Sequence, residues 1–137
     1  MSAKSNDKKK HVILDEKILI DSFRYAFYGI SEAYKGEQNL KIHTVIAVLV
    51  VLAGFILKIS YVEWLVCLVL IGLVLMAEFF NTAIEYVVDL ASPDIHPLAK
   101  LAKDTASAGV LMMAIISAII GLIIFVPKVI EFVEVWL

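Results

Sequence analysis

Apolar and polar positions fall in long blocks along this chain, and the blocks define its elements. Met1 to Lys10 is polar and rich in lysine, and no apolar run of the signal-peptide kind follows it, so residues 1–14 are expected to form a disordered tail. From about Asp15 to Lys35, Ile20, Phe23, Phe27, Ile30 and Tyr34 recur at steps of three and four, which is one stripe of a helix. Asp21, Arg24, Ser31, Glu32 and Lys35 take the other side. Beside a membrane span, such a helix is expected to lie in the interface plane; the alternative is a helix packed on a soluble core.

Three apolar blocks follow. Ile42 to Leu57 has no acidic or basic side chain apart from His43 and is short for a span. Ile59 to Val62 can extend it past Lys58, whose stem can snorkel, giving a span over about 42–60. The next begins near Trp64, is uncharged to Ala77, and stays helical in pattern through Glu78 to about Leu90. The last, Thr105 to Val126, is uncharged throughout and is the clearest span, with Pro127 expected to end it. Ser92, Pro93, Asp94, His96 and Pro97 fit a polar turn. The expected fold class is an all-α integral membrane protein, with an interfacial amphipathic helix (about 15–35) and three transmembrane helices (about 42–60, 64–90 and 105–126). Residues 15–137 then form a single membrane domain.

Composition agrees with the pattern. The chain has 137 residues, 61% of them hydrophobic, with a mean hydropathy of +0.90, too apolar for an ordinary soluble domain. The net charge of −2 carries little information by itself, and no nucleic-acid partner is expected. Cys67 is the single cysteine and lies in an apolar run, which excludes an intrachain disulfide and a cysteine-based metal site. Of the 12 basic residues, all but Lys58 and Lys128 fall in residues 1–43 or at Lys100 and Lys103. By the positive-inside rule the N-terminus and the connection before the last span are expected to be cytoplasmic and the C-terminus extracytoplasmic. Glu63, Glu131 and Glu134 then fall on the far side. Ala114 with Ala118 and Ser117 with Gly121 give the last span a small-residue spacing suited to close helix packing.

The chemistry gathers on the third apolar helix. Glu78, Asn81, Thr82, Glu85 and Asp89 share one face, within an arc of roughly 100°. A carboxylate within or at the edge of a membrane is costly and therefore a functional candidate. Two structural readings compete: ion pairs with lysines of a neighbouring helix, and a water-filled transport path. Several acids and an amide on one stripe, followed by Lys100, Lys103 and Asp104, favour a site for chemistry. Clustered carboxylates suit a hard divalent cation and nearby lysines suit phosphate, a combination that phosphoryl transfer requires. The chain contains neither G-x-x-x-x-G-K-[ST] nor G-x-G-x-x-G, so neither a P-loop nor a soluble-kinase glycine loop is present. Residue types and spacing lead to a carboxylate site for a metal at a membrane interface.

The run Glu78-Phe-Phe-Asn81-Thr-Ala-Ile-Glu85-Tyr-Val-Val-Asp89, followed by Lys103-Asp104, resembles the signature of the prokaryotic diacylglycerol kinase family, and the likeness extends from about Phe23 to Val126. The resemblance implies a lipid kinase of the bacterial cell membrane. Such a protein is a homotrimer with sites shared between subunits, and passes the γ-phosphate of Mg-ATP to a lipid hydroxyl. It also implies roles. Glu78 matches the proton acceptor, where the lipid is also bound, and Asn81 the polar residue supporting it. Glu37 and Glu85 match the Mg²⁺ ligands. Tyr25, Asp94, His96, Lys103 and Asp104 match nucleotide-binding positions, and Ser107 lies where the lipid is contacted. One departure is Ile18, at the place of an arginine used by the Gram-negative enzymes; Lys17 or Arg24 is the available substitute. His96 also has a plain reading as a cap of the connection, His43 as an interfacial anchor, and Glu32 as part of a solvated face.

Within the family, Gram-positive members act on undecaprenol and Gram-negative members on diacylglycerol. The stretch Glu37-Gln38-Asn39-Leu40-Lys41-Ile42-His43 and the form Asn81-Thr82-Ala83-Ile84-Glu85 are more like the Gram-positive branch. The expected product is undecaprenyl phosphate, with phosphatidic acid from diacylglycerol as the alternative. An alternative of another class is a small oligomeric ion or proton transporter. Depth separates the two: transport acids belong near the midplane, whereas Glu85, Asp89 and Lys103 fall at the ends of their helices.

Overall fold

The structure is a computed structural model describing residues 3–136, with side chains described over residues 16–134. Four helices follow in order: α1 (Ala3–Gly36), α2 (Gln38–Ile56), α3 (Tyr61–Ala91) and α4 (Pro97–Trp136). Met1–Gly36 forms one compact unit and Glu37–Leu137 a second. Of the stretch expected to be a tail, residues 1 and 2 lie outside the described residues, and α1 already begins at Ala3, ahead of the expected Asp15. Along α1, Arg24 pairs with Asp21 at 3.9 Å and lies over the Tyr25 ring, and Lys35 pairs with Glu32 at 2.6 Å. These are short-range pairs on an exposed helix surface and contribute little to stability.

In the second unit α3 is the middle helix, packed against α2 and α4. Three stretches are long and apolar enough to cross a bilayer: Gln38–Ile56, Tyr61–Ala91 and Pro97–Glu134. This is a multi-pass membrane protein. At 1.5 Å per residue α2 is about 28 Å long, close to one hydrocarbon thickness, while α3 at about 46 Å and α4 at about 60 Å reach beyond it.

The first span ends earlier than the sequence pattern suggests. Lys58 takes a left-handed conformation with φ 51°, and the Ile59 amide donates to the Gly54 carbonyl at 3.1 Å. That is a Schellman ending, with Lys58 in the position that usually holds glycine and the buried Ile59 folded back on the helix. Ser60 then starts α3 through a capping box: its backbone N–H donates to Glu63 at 2.6 Å and its hydroxyl accepts from the Glu63 amide at 3.4 Å. The expected extension of the span through Lys58 to Val62 is therefore replaced by a turn. Phe55 and Trp64 pack against each other across that turn, with ring centroids 4.8 Å apart and the ring planes tilted by 53°.

The last span, by contrast, runs on. Pro127 lies inside α4, which continues to Trp136, so the proline does not end the helix. Proline costs the helix one N–H donor, to the carbonyl four residues earlier, but membrane helices accommodate that loss.

Candidate functional site

The buried stripe of α3 starts apolar and turns polar. Cys67 and Val74 are buried near its middle, and Glu78, Asn81 and Thr82 continue the stripe toward the C-terminal end. Glu78 is 2% exposed. If the hydrocarbon begins at Tyr61, Glu78 lies about 26 Å along α3 and Asp89 about 42 Å, so the stripe crosses the edge of a core roughly 30 Å thick.

Each polar side chain on this stripe has a defined partner. The Thr82 hydroxyl donates to the Glu78 carbonyl at 3.0 Å, which satisfies the hydroxyl within the helix. Asn81 is held from both sides: its amide nitrogen donates to Glu85 Oε1 at 2.9 Å, and its amide oxygen accepts from the Ser107 hydroxyl of α4 at 3.3 Å. Ser107, Asn81 and Glu85 thus form one chain of bonds fixing a half-buried carboxylate. Farther out, Lys103 of α4 donates to Asp89 at 2.7 Å, a pair joining the ends of α3 and α4. Glu37 precedes α2 with extended backbone, φ −99° and ψ 116°, and its side chain makes no capping bond. Its carboxylate acts electrostatically on both Glu78 and Lys103, as does that of Glu85.

Glu78, Asn81, Glu85, Ser107, Lys103 and Glu37 are thus gathered at one end of the α2–α4 unit. Of four other residues of interest, Asp94 and His96 lie on the α3–α4 connection, Asp104 in the first turns of α4, and Tyr25 on α1. The Nδ1 atom of His96 accepts from the Leu98 amide at 3.2 Å, so in this structure the ring caps the start of α4. Asp94 accepts the Ser92 hydroxyl through its backbone carbonyl at 3.0 Å and is exposed, and Asp104 is exposed on α4. Tyr25 belongs to α1, a separate unit.

His43 is the residue whose plain sequence reading fails. It is not merely an anchor at the start of a span, because its Nε2 lies 3.2 Å from Glu78 Oε1 and donates a hydrogen bond to it. A signal was available: His43 is the one titratable side chain in an otherwise uncharged stretch, and such a residue needs a partner. Behind it, a cavity of about 620 Å³ lies between α2, α3 and α4, walled by Ile46, Val74, Ala114, Leu122 and Phe125 among other apolar residues.

Among the described residues no three histidine, cysteine, aspartate or glutamate side chains converge as a ready-made metal cage. The oxygen donors of Glu37 and Glu85 suit a hard cation that keeps several waters and takes further ligands from substrate phosphates.

Residues 24–125 match the family described as prokaryotic diacylglycerol kinase. The chain belongs to that family. It is 46% identical over 107 residues to the undecaprenol kinase of Bacillus subtilis (strain 168), covering 78% of this chain and 87% of the relative. A diacylglycerol kinase of Synechocystis is 40% identical over 80% of this chain and 63% of the relative, and that of Escherichia coli K12 is 30% identical over 74% and 83%. This membrane protein is therefore a lipid kinase, a phosphotransferase, of an ATP-dependent family.

Proposed function

We propose that this kinase phosphorylates undecaprenol, with Glu78 as general base, Glu37 and Glu85 as ligands of Mg²⁺, and Lys103 toward the phosphates. The observation that carries the proposal is the polar end of the α3 stripe: a buried Glu78 followed, about 10 Å along the helix, by a Glu85 held through Asn81 and Ser107. Two carboxylates in different surroundings serve two tasks. Glu78, just inside the apolar edge, meets a hydroxyl on a hydrocarbon tail; Glu85, farther out, meets a polar phosphate.

The lipid hydroxyl gives its proton to Glu78 as its oxygen bonds the γ-phosphorus, and the bond from that phosphorus to the β,γ-bridging oxygen breaks to release ADP. Magnesium, when bound, neutralises charge on the phosphates. Asn81 keeps the Glu85 carboxylate aimed by donating to one of its oxygens, and Ser107 in turn fixes the Asn81 amide. Asp89 holds Lys103 between helices, so its ammonium is positioned without being buried. Tyr25, Asp94, His96 and Asp104 are assigned to the nucleotide, Ser107 and Glu78 to the lipid. The active form is a homotrimer, with the N-terminus and the α3–α4 connection in the cytoplasm.

Undecaprenol is favoured by the 46% identity to a kinase of that name and by the similar run from Glu37 to His43. The apolar cavity behind His43 is of a size and character suited to part of a hydrocarbon tail. The test is transfer of radiolabelled phosphate from ATP by purified protein in mixed micelles holding undecaprenol or diacylglycerol. Undecaprenol is expected to give the higher kcat/KM; a higher value for diacylglycerol assigns the other substrate, and transfer to neither refutes the proposal.

A further inference from the structure

The Glu78 carboxylate has surroundings that its proposed task makes demanding. It is 2% exposed, and the acids Glu37 and Glu85 both act on it electrostatically. A buried charge is unfavourable unless it is hydrogen-bonded, and like charges nearby add to the cost. Thr82 does not help, because its hydroxyl bonds the Glu78 backbone carbonyl and not the carboxylate. The donor that the structure provides comes from another helix: His43 Nε2, 3.2 Å from Oε1. Its ring lies at the first turns of α2, 20% exposed, between the carboxylate and the apolar cavity.

We infer that His43 is the positioning residue for Glu78: its Nε2–H holds one carboxylate oxygen, leaving the other to take the lipid proton. The inference rests on Glu78 being the base. His43 acts only through Glu78 and touches neither phosphate nor metal in this scheme. The needed property is a donor at the right reach, so a neutral amide of similar length serves as well as the imidazole.

The test compares His43→Leu, His43→Gln, Glu78→Gln and the double variant His43→Leu/Glu78→Gln in the full-length protein, assayed at saturating lipid and ATP. His43→Leu is expected to lower kcat roughly 10- to 100-fold, part of what a general base contributes, with KM for Mg-ATP within about twofold of the parent. His43→Gln is expected to keep kcat within about threefold, because its amide N–H replaces the ring donor. Added to Glu78→Gln, the His43→Leu change is expected to cost less than about threefold more, the coupling of residues that act as a unit. Full kcat in His43→Leu overturns the inference, as does a Gln variant as slow as the Leu variant. So does a full additional loss in the double variant, which also exposes a mere folding defect. Full kcat in Glu78→Gln is a separate result: it removes the base assignment on which the inference stands.

Discussion

At the scale of residues, two carboxylates of one helix differ in what surrounds them, and their substitution should differ accordingly. Glu85 is half-buried and its Oε1 accepts from Asn81, whose own orientation depends on Ser107. Glu85→Gln is expected to lower kcat by roughly 100-fold or more, as for loss of a group that stabilises the transition state, while the protein still runs as the parent oligomer by size-exclusion chromatography. Normal magnesium-dependent turnover in that variant would remove it from the metal. Asn81→Ala should act through Glu85, raising the Mg²⁺ concentration needed for half-maximal rate as well as lowering kcat; unchanged magnesium dependence contradicts that link. Glu78→Gln should lower kcat with nearly unchanged Mg-ATP affinity, which isothermal titration checks. A loose phosphoryl-transfer transition state asks little of a base, so this loss should be smaller than that of Glu85→Gln. The motif residues were legible in the sequence because their spacing puts them on one helix face. Their partners were not, because His43 and Ser107 meet them from other helices, and helical periodicity carries no information about register between helices.

At the scale of elements, the α2–α3 turn shows what an apolar pattern hides. Hydropathy continues through Ile59 and Val62, so the pattern alone runs the span across Lys58. The turn was nonetheless written in the chain as Ser60-x-x-Glu63, the capping box that starts α3. Pro127 misleads in the opposite direction, because a proline stop applies where free backbone groups meet water, and here the helix continues to Trp136. Two substitutions test the turn. Lys58 at φ 51° bears the cost of a left-handed residue with a Cβ, so Lys58→Gly should stabilise the turn by about 0.5–1 kcal/mol and raise the midpoint of thermal unfolding in detergent by a few degrees. Gly54 has the reverse problem: a Cβ there would lie 2.9 Å from Trp64 Cη2 and 3.1 Å from Ile59 Cδ1. Gly54→Val should therefore destabilise by about 1–3 kcal/mol, lowering the same midpoint. A Gly54→Val protein as stable as the parent would mean that α2 and α3 do not approach this closely.

At the scale of the whole molecule, the kinase assignment and the direction of insertion depend on each other, because ATP is on one side of the membrane. The Glu78-to-Asp89 stripe, Lys103 and Glu37 lie at the end of the α2–α4 unit opposite the Lys58 turn, as the up-and-down order of three helices requires. That end also carries the basic residues of this unit: Lys41, Lys100 and Lys103 lie near it, whereas Lys58 lies at the α2–α3 turn and Lys128 in the last part of α4. Short loops with an excess of lysine and arginine stay in the cytoplasm, so charge and chemistry point to the same side. The depth of the acids agrees, since a transport site needs its carboxylate near the midplane and Asp89 falls beyond one hydrocarbon thickness from Tyr61. A reporter active only outside the cytoplasm, fused after Leu137, should therefore be active, and the same reporter inserted at Asp94 should be silent. A cytoplasmic reporter should give the opposite pair of results. The reversed outcome would put Lys103, Asp104 and Glu85 out of reach of ATP and end the site assignment, whatever the family resemblance. A mixed population at both positions would point to an insertion bias too weak to fix one direction. Replacing Lys100 and Lys103 together with glutamine should then increase the inverted fraction, because it removes part of the charge asymmetry that holds the α3–α4 connection inside.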